Sequence, residues 1–179
     1  MDAAKQSAAK AAFDAFCQLH KERQADETRP FVLGVGSGTT IVYFIEHLAA
    51  LDRSSLRCVP TSRQTSNLLQ QHGLMVVPLA APHLPLDLCV DGADEIDRDG
   101  NLIKGGGACH LREKEVAVCS RAFWVIADHT KQSEHLGQQV RPPLCSLLCA
   151  VSVALSSMHG APLTSRAAAA AAAIMAAPP

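Results

Sequence analysis

Four short apolar runs set the terms for this chain. They are Phe31–Val35, Leu56–Pro60, residues 86–90 and residues 123–127. Each stops abruptly at a polar or glycine-rich turn. Largely apolar runs of this length, interrupted only by Arg57 and Asp87, read as strands buried on both faces. A fifth run, 74–79, reads as a further strand, and Leu102–Ile103 as a brief one. Helix-patterned stretches lie between them: 3–21 with Phe13, Phe16 and Leu19 on one face, 41–50, a stretch from the Thr61/Ser62 caps to Gln71 with Gly73 as its stop, and 108–120. Strands alternating with helices imply an α/β fold, a Rossmann-like parallel sheet with helices on both faces. In such sheets ligands bind beyond the carboxyl ends of the strands. Every distinctive turn here follows a strand: 36–40, 61–65, 91–95 and 128–131. Four turns therefore converge on one edge.

Composition narrows the partners. Hydrophobic residues make up 48% of the 179 positions, enough for a sizeable core. The formal net charge is −1 and no basic stripe appears, which argues against nucleic acid. The seven cysteines form no CxxC and read as free thiols in a reducing compartment. Cys109-His110 lacks a second pair at ligand spacing, so a zinc site is rejected. Residues 1–10 are polar and carry Asp2, unlike a secretory signal. The apolar run 144–155 is too short and too interrupted to span a bilayer. A cytoplasmic setting is the expectation.

The text changes near residue 140. No acidic residue follows Glu134, and Ala167 to Ala173 is an unbroken alanine tract. Poly-alanine favours helix but has no obvious face to bury. Residues 1–139 read as a catalytic domain and 140–179 as a divergent, low-complexity tail.

Each turn carries its own chemistry. Gly34-Val-Gly-Ser-Gly-Thr-Thr40 places free N–H groups and the Ser37, Thr39 and Thr40 hydroxyls at a helix start, a setting for an anion such as phosphate. Thr39 breaks the G-x-G-x-x-G dinucleotide pattern, and no Walker lysine follows. Thr61-Ser-Arg-Gln-Thr65 serves equally well as a cap or a ligand contact. Asp91, Asp94, Glu95 and Asp97 crowd one turn. Neighbouring carboxylates can hold their pKa values apart for proton exchange. They also supply enough oxygens for a divalent metal, so the turn alone leaves that reading open. Lys104, before Gly105-Gly-Gly107, could stabilise an oxyanion. Glu113 shares a helix face with Cys109, Val116 and Ala117, which suits a general base. The residues alone favour the plainer reading, a solvated pairing with Arg112 or Lys114.

Taken in order, Gly34 to Thr40, Thr61-Ser62, Asp91-Gly-Ala-Asp-Glu95, Lys104-Gly-Gly-Gly-Ala108, Leu111-Arg-Glu-Lys114 and Ala127-Asp128 with Lys131 resemble ribose-5-phosphate isomerase, type A. The resemblance covers about residues 1–139. It implies interconversion of ribose 5-phosphate and ribulose 5-phosphate through an enediol(ate), without metal or organic cofactor. It makes Glu113 the base between C1 and C2. Asp91 and Asp94 would contact sugar oxygens, and Lys104 would stabilise the enediolate. Gly92, Ala93 and Gly105 to Gly107 would line the site. Ser37, Gly38, Thr39 and Thr40 would hold substrate, and Lys131 would bind near the phosphate. The family is typically homo-oligomeric. Thr39 often stands as serine there, and His110 as a smaller residue. The large departure is C-terminal: the family continues with a small α+β lobe, and nothing after Gln139 resembles it. Two other readings stand beside an active isomerase. One is a catalytically impaired truncated form that at most binds sugar phosphate. The other is a dinucleotide-dependent oxidoreductase, carried by the strand–glycine–helix unit.

Overall fold

The computed structural model describes residues 2–26, 29–140 and 171–176. A long first helix, α1 (Asp2–Asp26), leads to β1 (Phe31–Val35), α2 (Thr39–Leu48), β2 (Leu56–Pro60) and α3 (Arg63–Gln71). Then follow β3 (Leu88–Asp91), the short strands β4 (Glu95–Ile96) and β5 (Leu102–Ile103), α4 (His110–Val118), β6 (Phe123–Asp128) and β7 (Ala171–Ala176). The main sheet runs β2-β1-β3-β6-β7. All its pairings are parallel, with Gly34 opposite Val59 on one side and Cys89 on the other. β4 and β5 form a separate antiparallel hairpin.

The period-two alternation of the strands sorts the core into two layers. Phe31, Leu33, Val35, Leu88 and Val90 face Phe16 of α1, Phe44 and Ile45 of α2, and Leu69 of α3. Val32, Val59 and Cys89 face the other way, onto Val116 of α4. Helices thus cover both faces. α4 comes unusually close at Gly34, where a Cβ would lie 2.6 Å from Val116 Cγ1. Only a bare backbone admits the helix at that height.

The connection out of β1 goes to β2, and the chain then crosses back to place β3 on β1's other side. The strand order therefore reverses at β1/β3, and a crevice opens there at the carboxyl ends. One bond closes its floor: Gly36 N donates to Val90 O at 2.8 Å.

Three expectations change. Residues 74–79 are no strand. Only Val76 bridges, to Cys58, before the chain leaves the sheet. Pro78 has no N–H to continue a ladder. The acidic turn contains a strand of its own, β4. Within the alanine tract's last residues, chain from Ala171 is extended rather than helical and pairs with β6 from Phe123 to Asp128. The open edge of β6 offers a row of backbone groups that outweighs alanine's helix preference. Residues 141–170 and 177–179 of the proposed tail, including the run 144–155, lie outside the described residues. No helix of the described residues is long and apolar enough to cross a membrane.

Candidate active site

The crevice between β1 and β3 collects three charged side chains from three elements. Asp91 ends β3 and is fully buried. Lys104 follows β5. Glu113 lies in the first turn of α4 and is 4% exposed. Lys104 Nζ stands 3.0 Å from Asp91 Oδ2 and 3.5 Å from Glu113 Oε2. It also donates to the Gly92 carbonyl at 2.6 Å. Glu113 therefore does not pair with Arg112 or Lys114, the plainer reading of the sequence. Arg112 turns instead to Glu115, 3.3 Å away.

Backbone fixes Asp91. Its Oδ1 accepts from Gly92 N at 2.7 Å and from Ser37 N at 3.1 Å. A Cβ on Gly36 would lie 1.9 Å from that oxygen and 2.6 Å from Asp91 Cα. Gly36 is the space in which the carboxylate sits. Burial pushes the Asp91 pKa up. Lys104 pulls it down, Glu113 pushes it up again, and the Lys104 and Ser37 hydrogen bonds pull it down; the net direction is upward. A carboxyl held this way exchanges a proton more readily near neutrality than an exposed one.

Ser37 ties the two carboxylates together. Its hydroxyl donates to Glu113 Oε1 at 2.8 Å. The next residue, Gly38, has φ 105° and leads into α2, whose first turn has no side-chain cap. The N–H groups of Thr39 and Thr40 are thus left for an anion. Gly38 and Thr39 are exposed, whereas Thr40 is buried. Thr65 Oγ1 braces the loop from below, donating to the Gly36 carbonyl at 2.7 Å.

The acidic cluster of the sequence does not stay together. Asp94 Oδ2 accepts from Gly106 N at 2.8 Å and fastens the glycine loop beside Lys104. Glu95 points away and accepts from the N–H groups of Gly137, Gln138, Gln139 and Val140. Against the upward push of burial, the Ser133 hydroxyl and these donors bring its pKa down to about 2. Asp97 closes the hairpin turn onto Asp99 and Asn101. Among the described residues no three His, Cys, Asp or Glu side chains come together in a way that could hold a metal ion.

The remaining positions are arranged around this centre. Ala93 packs under the hairpin against Ile96, Val125 and Ala127. Gly105 takes φ 100° and lies against His110, with Gly107 open to solvent. Lys131 is on the short 3₁₀ turn His129–Lys131 after β6, capped by Asp128 through Thr130 N at 2.9 Å. No hydrogen bond or ion pair joins it to the carboxylates. At 61–65 Ser62 caps α3, accepting from Thr65 N at 3.0 Å. The role of Gly36 against Asp91 and the brace from Thr65 were not visible in the sequence, because both depend on what the crossover brings next door.

Sequence comparison decides the family. Residues 57–173 match ribose 5-phosphate isomerase A (phosphoriboisomerase A). The chain belongs to the ribose 5-phosphate isomerase A family. Its similarity to the ribose-5-phosphate isomerase of Dictyostelium discoideum is 46% identity over 106 residues, 59% of this chain and 45% of that protein. With the Sus scrofa enzyme of that name it shares 49% over 111 residues, 60% of this chain and 36% of that protein. The chain thus spans less than half the length of these curated relatives. Among solved structures it resembles a D-ribose-5-phosphate isomerase determined with phospho-erythronic acid, at TM-score 0.69 and 30% identity, covering 89% of this chain and 67% of that one. The ribose 5-phosphate isomerase A of Neisseria gonorrhoeae gives TM-score 0.64 and 32% identity over 87% of this chain and 66% of that one.

Proposed function

We propose that this chain interconverts D-ribose 5-phosphate and D-ribulose 5-phosphate as an aldose–ketose isomerase of the non-oxidative pentose phosphate pathway. The observation that carries the reading is a single ammonium, Lys104, within 3.0 Å of buried Asp91 and 3.5 Å of buried Glu113. Family membership supports it.

On this reading the phosphate rests on the Thr39 and Thr40 N–H groups, with Ser37, Gly38 and Lys131 around it. Glu113 removes the C2 proton of the open-chain aldose. The electron pair becomes the C1–C2 double bond, and charge develops on O1, where Lys104 stabilises it. Asp91, whose raised pKa suits proton exchange, carries the hydroxyl proton from O2 to O1, with Asp94 holding a neighbouring sugar oxygen. Glu113 returns its proton to C1, and the C2 carbonyl of the ketose results. Gly92, Ala93 and Gly105 to Gly107 shape the walls. Positive charge at the centre comes from Lys104. We place the protein in the cytoplasm and expect its family's homo-oligomeric habit.

Beside it stands a second reading, a chain that binds sugar phosphate without turning it over. Ketose formation from ribose 5-phosphate, measured for the chain and for Glu113→Gln, separates the two. The isomerase reading requires activity that the variant loses by at least about 100-fold. Equal rates for both chains would overturn it. A melting-temperature rise with ribose 5-phosphate and no turnover would establish the second reading.

A further inference from the structure

Glu113 is buried and Lys104 half-buried beside it, yet the two do not close on each other. Their separation of 3.5 Å exceeds the roughly 2.7–2.9 Å of a charge-assisted hydrogen bond. Oε2, the oxygen facing the lysine, has no hydrogen bond at all. The other oxygen, Oε1, is held by the Ser37 hydroxyl at 2.8 Å. Ser37 is itself held in place, since its own N–H donates to Asp91 Oδ1. The lysine is engaged elsewhere, on the Gly92 carbonyl and Asp91 Oδ2. Beside buried carboxylates, a flexible glutamate would otherwise swing onto the nearest cation, because attraction is poorly screened there.

We infer that Ser37 is a positioning residue that restrains the Glu113 carboxylate on one oxygen, so that the other stays clear of Lys104 and free to take a proton. This inference rests on the isomerase reading above. It assigns Ser37 a task beyond contact with substrate. A base locked in an ion pair with Lys104 would have to break that pair before reacting. It would also neutralise the charge the enediolate needs. One hydroxyl keeps both groups available.

The test uses the full chain and three variants. Ser37→Ala removes the hydroxyl. Ser37→Cys keeps a side chain of similar size with only a weak donor. Ser37→Thr keeps the hydroxyl. Crystal structures of wild type and Ser37→Ala should show Glu113 Oε2 moving onto Lys104 Nζ, to hydrogen-bond distance. In the ribose 5-phosphate assay, kcat should fall on the order of 10- to 100-fold in Ser37→Ala and Ser37→Cys, with KM rising by at most a few-fold from the lost substrate contact. Ser37→Thr should restore kcat to within a few-fold of wild type. An unmoved Glu113 in Ser37→Ala would overturn the inference. So would a rise in KM at constant kcat, the mark of a simple substrate contact. If the wild-type chain produces no ketose, the isomerase reading fails, and the paired structures still decide whether Ser37 holds the carboxylate.

Discussion

At the residue scale, the site depends on positions with no side chain as much as on charged ones. Gly36 lets Asp91 enter, and the contact is with Asp91 Cα as well as its carboxylate. A methyl group there cannot be absorbed by a rotamer change. Gly36→Ala is expected to cost about 1–3 kcal/mol of stability in urea unfolding, the usual range for overpacking. Ketose formation should be lost even under conditions where the variant remains folded. Lys104→Met tests the charge at the centre. It leaves Asp91 and Glu113 buried side by side without a cation, so the apparent pKa of Asp91 should rise further. Turnover should fall on the order of 100-fold or more, by analogy with the loss of an oxyanion-stabilising donor. A steady-state assay of the purified variant measures this. Legibility at this scale was uneven. Asp91 and Lys104 stood out because a strand end and a glycine loop flank them. Glu113 did not, because its burial is made by tertiary contact and its neighbours Arg112 and Lys114 offered an easier partner.

At the element scale, the position of the base follows from how deeply α4 seats on the sheet. Val116 rests over Gly34, and Glu113 lies one turn earlier on the same helix. Gly34→Ala would lift α4 away from β1, because the added Cβ would meet Val116, Cys89 and Leu86 within 3.1 Å. The expected loss is about 1–3 kcal/mol in urea unfolding. Activity should drop as well, since Glu113 would move with the helix. At the start of α3, Ser62→Ala removes a cap bond and should cost about 0.5–2 kcal/mol by thermal unfolding, with little effect on KM. Elements whose signals are local were legible: β1 and β2 from short, largely apolar runs, α3 from Ser62 and Gly73. The run 74–79 had the right hydropathy, but hydropathy is blind to the N–H that Pro78 lacks. Strand β7 was not legible either, because alanine's local preference is for helix and the pairing edge of β6 is supplied from far away in sequence.

At the scale of the whole molecule, opposite ends of the sheet hold opposite kinds of charge arrangement. The carboxyl end keeps a lysine between carboxylates. The amino end keeps a carboxylate between arginines. Asp87 is bonded to Arg23 at 2.8 Å and to Arg29 at 2.5 Å, and it also accepts from Val32 N at 2.8 Å. It thereby fastens the end of α1 and the start of β1 to the chain entering β3. Burial pushes its pKa up, but the Val32 N–H and the two guanidiniums outweigh this and leave it below the usual carboxylate value. A depressed folded-state pKa adds stability that is complete above the unfolded value, near 4, and is lost as pH falls through the folded one. Thermal midpoints should therefore fall steeply as pH drops below about 4. Asp87→Asn should lower the midpoint at neutral pH and flatten that acid limb. Glu95, with a folded pKa of about 2, contributes to the same limb with the same sign.

The Glu95 clasp has a mechanical side. Its carboxylate grips the backbone from Gly137 to Val140, where the chain departs from the turn after β6. Its own strand pairs with β5, and β5 delivers Lys104 one residue later. Strain entering the chain at Val140 is therefore expected to load the clasp and pass through the hairpin to the ammonium at the centre of the site. A pull applied past Ala176 is borne first by the β7–β6 pairing.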